Sequence, residues 1–174
     1  MRTILVIGAS RGIGKAVCRH VVARGLAVRA MSRSGTNPVE TAANCTPFKG
    51  DALDGTDLAD ALAGVDAVVQ ALGVAPSLQR TLEPVTLFSR STAALLPEMK
   101  KAGVGKLVAV TGFGAGDSRR SISLLQRLPF ELLLGRAYDD KSRQETMIEN
   151  SDLDWLIVRP GTLIDGPATA QYRV

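Results

Sequence analysis

Short aliphatic runs alternate with stretches of helical periodicity along the whole chain, and few folds satisfy that alternation. The runs are TILVIG at 3–8, AVRAMSR at 27–33, CTPFKG at 45–50, DAVVQALG at 66–73, KLVAVTG at 106–112 and DWLIVRPG at 154–161. Between them, GIGKAVCRHVVAR at 12–24, TDLADALAG at 56–64, LFSRSTAALLPEMKKAG at 87–103 and DDKSRQETMIENS at 139–151 read as helices. Near-continuous aliphatic strands belong to parallel sheets buried on both faces, since each parallel crossover lays a helix on the sheet. The pattern predicts one α/β domain over residues 1–174, a doubly wound parallel sheet with helices on both faces. No composition break, repeat or low-complexity linker divides it.

Glycines punctuate the pattern at one kind of place. Gly8, Gly50, Gly73, Gly112 and Gly161 each fall at the C-terminal end of a predicted strand. Open parallel sheets bind ligands in the crevice outside those ends, where a glycine lets a ligand reach the backbone. Turns from strand to helix also favour glycine without any ligand. The first turn says more, because Gly8-Ala9-Ser10-Arg11-Gly12-Ile13-Gly14 runs from a strand straight into a helix. A helix N-terminus offers unpaired N–H groups and a positive dipole end to a pyrophosphate. In that context the loop reads as a dinucleotide fingerprint, and the sheet as a Rossmann fold. Its spacing is Gly-x-x-x-Gly-x-Gly. Gly8, Ser10, Arg11, Gly12, Ile13 and Gly14 are the expected cofactor contacts here, with Gly14 also letting helix and sheet pack closely.

The second strand bears on which dinucleotide. An NAD protein usually carries Asp or Glu about 20 residues beyond the loop, on the ribose 2′-OH. Here the strand ends Ser32-Arg33 and contains no acid. Arg33, with Arg11 facing it, suits a 2′-phosphate, so NADP(H) is the expected cofactor. Surface solvation is the alternative use of both arginines.

Composition removes other chemistries. A single histidine, His20, set in a helix-like stretch, speaks against His-cluster metal sites and a Ser-His-Asp triad. Cys18 and Cys45 are far apart without metal-ligand spacing, which fits reduced thiols in a cytoplasmic protein. The net charge of +4 is scattered along the chain, with no basic run longer than a pair, so it argues for an anionic small molecule over nucleic acid. No apolar run is long enough for a bilayer, and no signal-peptide pattern precedes the first strand.

GASRGIG is similar to the loop of the short-chain dehydrogenase/reductase superfamily. FKGDALDGTDLADALAGVDAVVQALG, KKAGVGKLVAVTGFGAGD and LDWLIVRPGTLIDGP resemble its atypical NAD(P)H-binding branch, which includes NmrA-like proteins and the biliverdin reductase B/flavin reductase type. The resemblance spans essentially the whole chain. It implies that Asp51 pairs with the adenine amino group and that Ala52 lies along the ring. It also implies that Ala71-Leu72-Gly73 runs under a cofactor ribose and that Arg159-Pro160-Gly161, with Pro160 at its centre, flanks the nicotinamide. Asp54 suits a helix cap better than a ligand contact.

The same resemblance implies Thr111 at the active-site hydroxyl and Lys141 reaching cofactor ribose hydroxyls. The alternative for Lys141 is a surface pair with Glu145. The main reductase branch spaces its Tyr and Lys four apart, whereas Tyr138 and Lys141 are three apart. One residue of slip turns a helical side chain by about 100°, so that pair does not carry over. A weak acid–base set points to an acceptor already electrophilic: a flavin, a quinone or a linear tetrapyrrole. The expected protein is an NADPH-dependent oxidoreductase acting on a small-molecule hydride acceptor, as a monomer or weak homodimer. The alternative is an NmrA-like NADP(H)-sensing regulator without turnover. Residues 113–140 read either as a lid, with Phe113 near the nicotinamide, or as a peripheral helix. Proteins of this type usually continue past the equivalent of Val174, so a further substrate-side segment is left open.

Overall fold

The computed structural model describes residues 2–74, 85–121, 124–161 and 163, with backbone alone described at 119–121 and 124–134. Its strands are β1 (Thr3–Ile7), β2 (Ala27–Ser32), β3 (Cys45–Lys49), β4 (Ala67–Gln70), β5 (Lys106–Val110) and β6 (Asp154–Val158). Its α-helices are α1 (Gly12–Ala23), α2 (Gly55–Leu62), α3 (Leu87–Ala102) and α4 (Leu124–Glu149), with a 3₁₀ turn over Gly116–Ser121. All six strands are parallel, in the order β3-β2-β1-β4-β5-β6. The chain winds outward from β1 to β3 and then returns to β1's other flank. The carboxyl ends of β1 and β4 therefore bracket a topological switch point.

Alternation along β1 builds the core on both faces. Leu5 and Ile7 point to one side, where they join Met31, Leu58, Leu95, Met99, Leu107 and Ile148. Val6 points to the other and joins Cys18, Val28, Ala30 and Cys45. Both cysteines are free thiols, and burial pushes the Cys18 pKa up to about 12, where it stays protonated and inert. His20 is exposed on α1. No described helix is long and apolar enough to cross a membrane.

Two differences from the sequence reading matter for the site. The strands stop short of their predicted ends, because the glycine-bearing tails leave the ladder. The last helix is much longer than 139–151: α4 begins at Leu124, so most of the stretch from Phe113 to Asp140 is helix continuous with the helix that carries Lys141. The apolar side chains expected to form a lid lie outside the described residues.

Candidate active site

A cleft of about 1070 Å³ follows the C-terminal edge of the sheet. All five strand-end glycines, Gly8, Gly50, Gly73, Gly112 and Gly161, line it. At Gly12, Gly73 and Gly161 an added Cβ would meet nothing within 4 Å, so the backbone there stands open to a ligand. Gly12 also has φ +55°, a left-handed conformation that glycine adopts without strain. Gly8 and Gly14 serve packing as well. A Cβ on Gly8 would lie 2.6 Å from the Ala71 carbonyl oxygen, and one on Gly14 would lie 2.2 Å from that of Gly8.

The expected contacts Gly8, Ser10, Arg11, Gly12, Ile13, Ser32, Arg33, Asp51, Ala52, Ala71, Leu72, Gly73, Thr111, Lys141 and Pro160 all line this one cleft. Gly14 does not; it stands behind the loop and sets the approach of α1 to β1. Phe113, expected beside the nicotinamide, is 44% exposed and not among the lining residues. The Phe113 N–H donates to the Pro160 carbonyl, which ties that loop backbone to the end of β6.

The glycine-loop end is built for an anion. The N-cap of α1, Arg11, is extended and makes no side-chain cap, and the first turn carries no acid. By contrast, Asp54 caps α2 through the Thr56 and Asp57 N–H groups at 2.8 and 3.1 Å, as its position in the sequence suggests. The uncapped amides of α1 face the cleft with the dipole's positive end. Beside them Ser10, Arg11, Arg33 and Ser34 enclose a smaller hollow of about 460 Å³, with both arginines exposed. Asp51 lies on the cleft, and its Oδ1 accepts the Leu53 N–H at 3.0 Å.

At the other end Thr111, Tyr138 and Lys141 converge. Residues three apart share a helix face, so Tyr138 reaches the cleft beside Lys141 despite the slipped spacing. Lys141 is not a surface residue. Its Nζ donates to the Thr111 carbonyl and lies 4.8 Å from the Phe88 ring centroid and 5.6 Å from that of Tyr138. Burial lowers its pKa from 10.5 to about 8, with the charge of Glu145 opposing the fall. Burial raises the Tyr138 phenol, which therefore stays protonated.

Glu145 is the residue that sequence reasoning missed, having entered only as the partner in the alternative for Lys141. It is 1% exposed, and its Oε1 accepts the Thr111 hydroxyl at 2.6 Å. Arg159 grips it with two prongs, Nε to Oε1 and NH2 to Oε2, each at 3.0 Å. The NH1 of Arg159 reaches Asp117 on the 3₁₀ turn at 2.7 Å. The hydrogen bonding that Arg159 donates to Glu145 is the largest reason that the Arg159 pKa is raised. Gly116 is shaped by this pair: its φ is +54°, and a Cβ there would lie 2.3 Å from Glu145 Oε2. The available signal was an acid one turn after Lys141 together with an arginine just before Pro160.

An open parallel sheet with a glycine loop at its switch point and a cleft across its carboxyl edge defines a Rossmann nucleotide-binding protein. The sequence profile of the NAD(P)H-binding family matches residues 8–174, and the chain belongs to that family. Among solved structures it is similar to ChuY, an anaerobillin reductase from Escherichia coli O157:H7, at 26% identity and a TM-score of 0.78. That match covers 97% of this chain and 77% of ChuY. A short-chain dehydrogenase/reductase from Veillonella parvula in complex with NADP shares the fold, with a TM-score of 0.80 at 13% identity over 99% of this chain and 75% of that one. An uncharacterised chloroplastic protein of Arabidopsis thaliana is 30% identical over 97% of this chain, which spans 61% of that relative's length.

Proposed function

We propose that the protein is an NADPH-dependent oxidoreductase that passes hydride to an already electrophilic acceptor: a flavin, a quinone or a tetrapyrrole. One observation carries the reading. A single cleft has an arginine-flanked glycine loop at one end and the Thr111–Tyr138–Lys141 convergence at the other. The loop amides and Gly12 suit the pyrophosphate, and Arg11 and Arg33 suit a 2′-phosphate. When bound, the dinucleotide supplies the hydride. Lys141 contributes donors beside Thr111 and Pro160, where the nicotinamide ribose is expected. The likeness to an anaerobillin reductase fits the acceptor class.

Two measurements test this. NADPH is expected to bind more tightly than NADH, and Arg33→Ala to remove most of the difference. Losing a charge-assisted contact costs about 1.5–3 kcal/mol, roughly ten- to hundredfold in affinity. Equal affinities in the wild type would refute the NADPH assignment. Separately, NADPH oxidation is expected with flavins or quinones and not with simple ketones. Cofactor binding without turnover on any acceptor leaves the sensor as the surviving reading.

A further inference from the structure

A threonine hydroxyl carries one proton and two lone pairs. At Thr111 the proton is committed, since it is donated at 2.6 Å to a buried carboxylate that Arg159 holds with two further bonds. An ionised carboxylate accepts only, so the bond cannot reverse. Thr111 lines the cleft beside Lys141, whose Nζ is turned to the backbone carbonyl of the same residue. A ligand group that reaches this hydroxyl from the cleft can therefore meet only its lone pairs.

We propose that Glu145 is a positioning residue that fixes the Thr111 hydroxyl as a hydrogen-bond acceptor, so the site selects a hydride acceptor bearing an N–H over one bearing only carbonyl oxygens. This rests on the reductase reading and narrows it. A flavin imide and a tetrapyrrole lactam each bring an N–H to Thr111, while a quinone brings none and leaves the hydroxyl facing another acceptor. Such a mismatch strands a desolvated polar group, which is where hydrogen-bonding sites discriminate most strongly. Thr111 would contact the ligand directly; Glu145 acts through it.

The test is a binding titration on the NADP+-loaded protein, followed by flavin fluorescence, comparing lumiflavin with 3-methyllumiflavin, whose N3–H is replaced by methyl. The wild type should prefer lumiflavin at least tenfold. Thr111→Ser should keep the preference, and Thr111→Val should reduce it to about unity. Glu145→Gln should narrow it too, because its amide can donate to Thr111 and release the hydroxyl proton toward the cleft. Circular dichroism checks that each variant is folded. A preference that survives Thr111→Val is steric exclusion of the methyl group and overturns the inference. So does equal affinity in the wild type, or failure to bind either compound. Turnover is read separately by NADPH oxidation, so an inactive protein with the expected binding pattern refutes the reductase and not the selection rule.

Discussion

An ammonium buried against Phe88, Tyr138 and the Thr111 carbonyl costs the folded state stability whenever it is charged. Lys141 has a pKa of about 8 folded and 10.5 in an ordinary setting. Between those values the unfolded chain binds more protons, so this residue makes stability rise with pH from about 8 to about 10.5, by a total on the order of 3 kcal/mol. Below about pH 8 both states are protonated and the cost is constant. Urea unfolding of wild type and Lys141→Met should show the wild type gaining on the variant between about pH 8 and pH 10; a constant gap would mean that the ammonium stays hydrated. Gly116 gives a second residue-scale prediction. Gly116→Ala would place a Cβ against Glu145 Oε2 in a left-handed conformation. The backbone strain alone costs about 1–2 kcal/mol, and displacing Glu145 from Arg159 adds more. We expect a loss of at least about 2 kcal/mol in urea unfolding, and a loss well below 1 would show that the pair yields easily.

Helices in this fold are fastened by side chains from other elements, and those fastenings were the least legible part of the sequence. Thr86 is the N-cap of α3 but makes no side-chain cap. Asp140 of α4 does that work, with Oδ2 accepting the Phe88 and Ser89 N–H groups at 2.8 and 3.2 Å. Arg29 of β2 likewise closes α2 by donating to the Ala61 and Ala63 carbonyls at 2.7 Å each. Asp54, which caps its own helix, was readable from local order alone. Asp140 was not, because 52 positions separate it from Phe88. The start of α4 was hidden for a different reason: Pro129 and Gly135 are breaker signals inside it. Asp140→Ala should cost about 1–2 kcal/mol as a lost N-cap. It should also weaken cofactor binding, since Thr86 and Leu87 line the cleft at the helix start it holds. Wild-type urea stability in that variant would mean that water caps α3 equally well.

Across the whole molecule, the parallel doubly wound sheet and the strand-end glycines along its carboxyl edge were legible in the alternation of strand and helix, whereas the strand order was not. Glu145 was hidden because a burial that depends on β6 and the 3₁₀ turn leaves no local trace. The cleft crosses β1, β2, β4 and β5 at their carboxyl ends, through Ile7, Ser32, Ala71 and Val110. A ligand lying there contacts most of the sheet at once, and its binding energy should appear as global stability. At a hundredfold excess over Kd, NADP+ would add about 2.7 kcal/mol, which raises Tm by about 5–10 °C in a chain of this size. Gly12 links that gain to the loop. The Cβ of a valine there meets nothing within 4 Å, so the fold should persist, at a melting temperature lowered by the strain of a β-branched residue at φ +55°. Its side chain would instead stand in the cleft, where the pyrophosphate is expected. Thermal unfolding with and without NADP+ should therefore show the full shift in the wild type and none in Gly12→Val. A wild-type-sized shift in the variant would mean that the dinucleotide is held without the glycine loop.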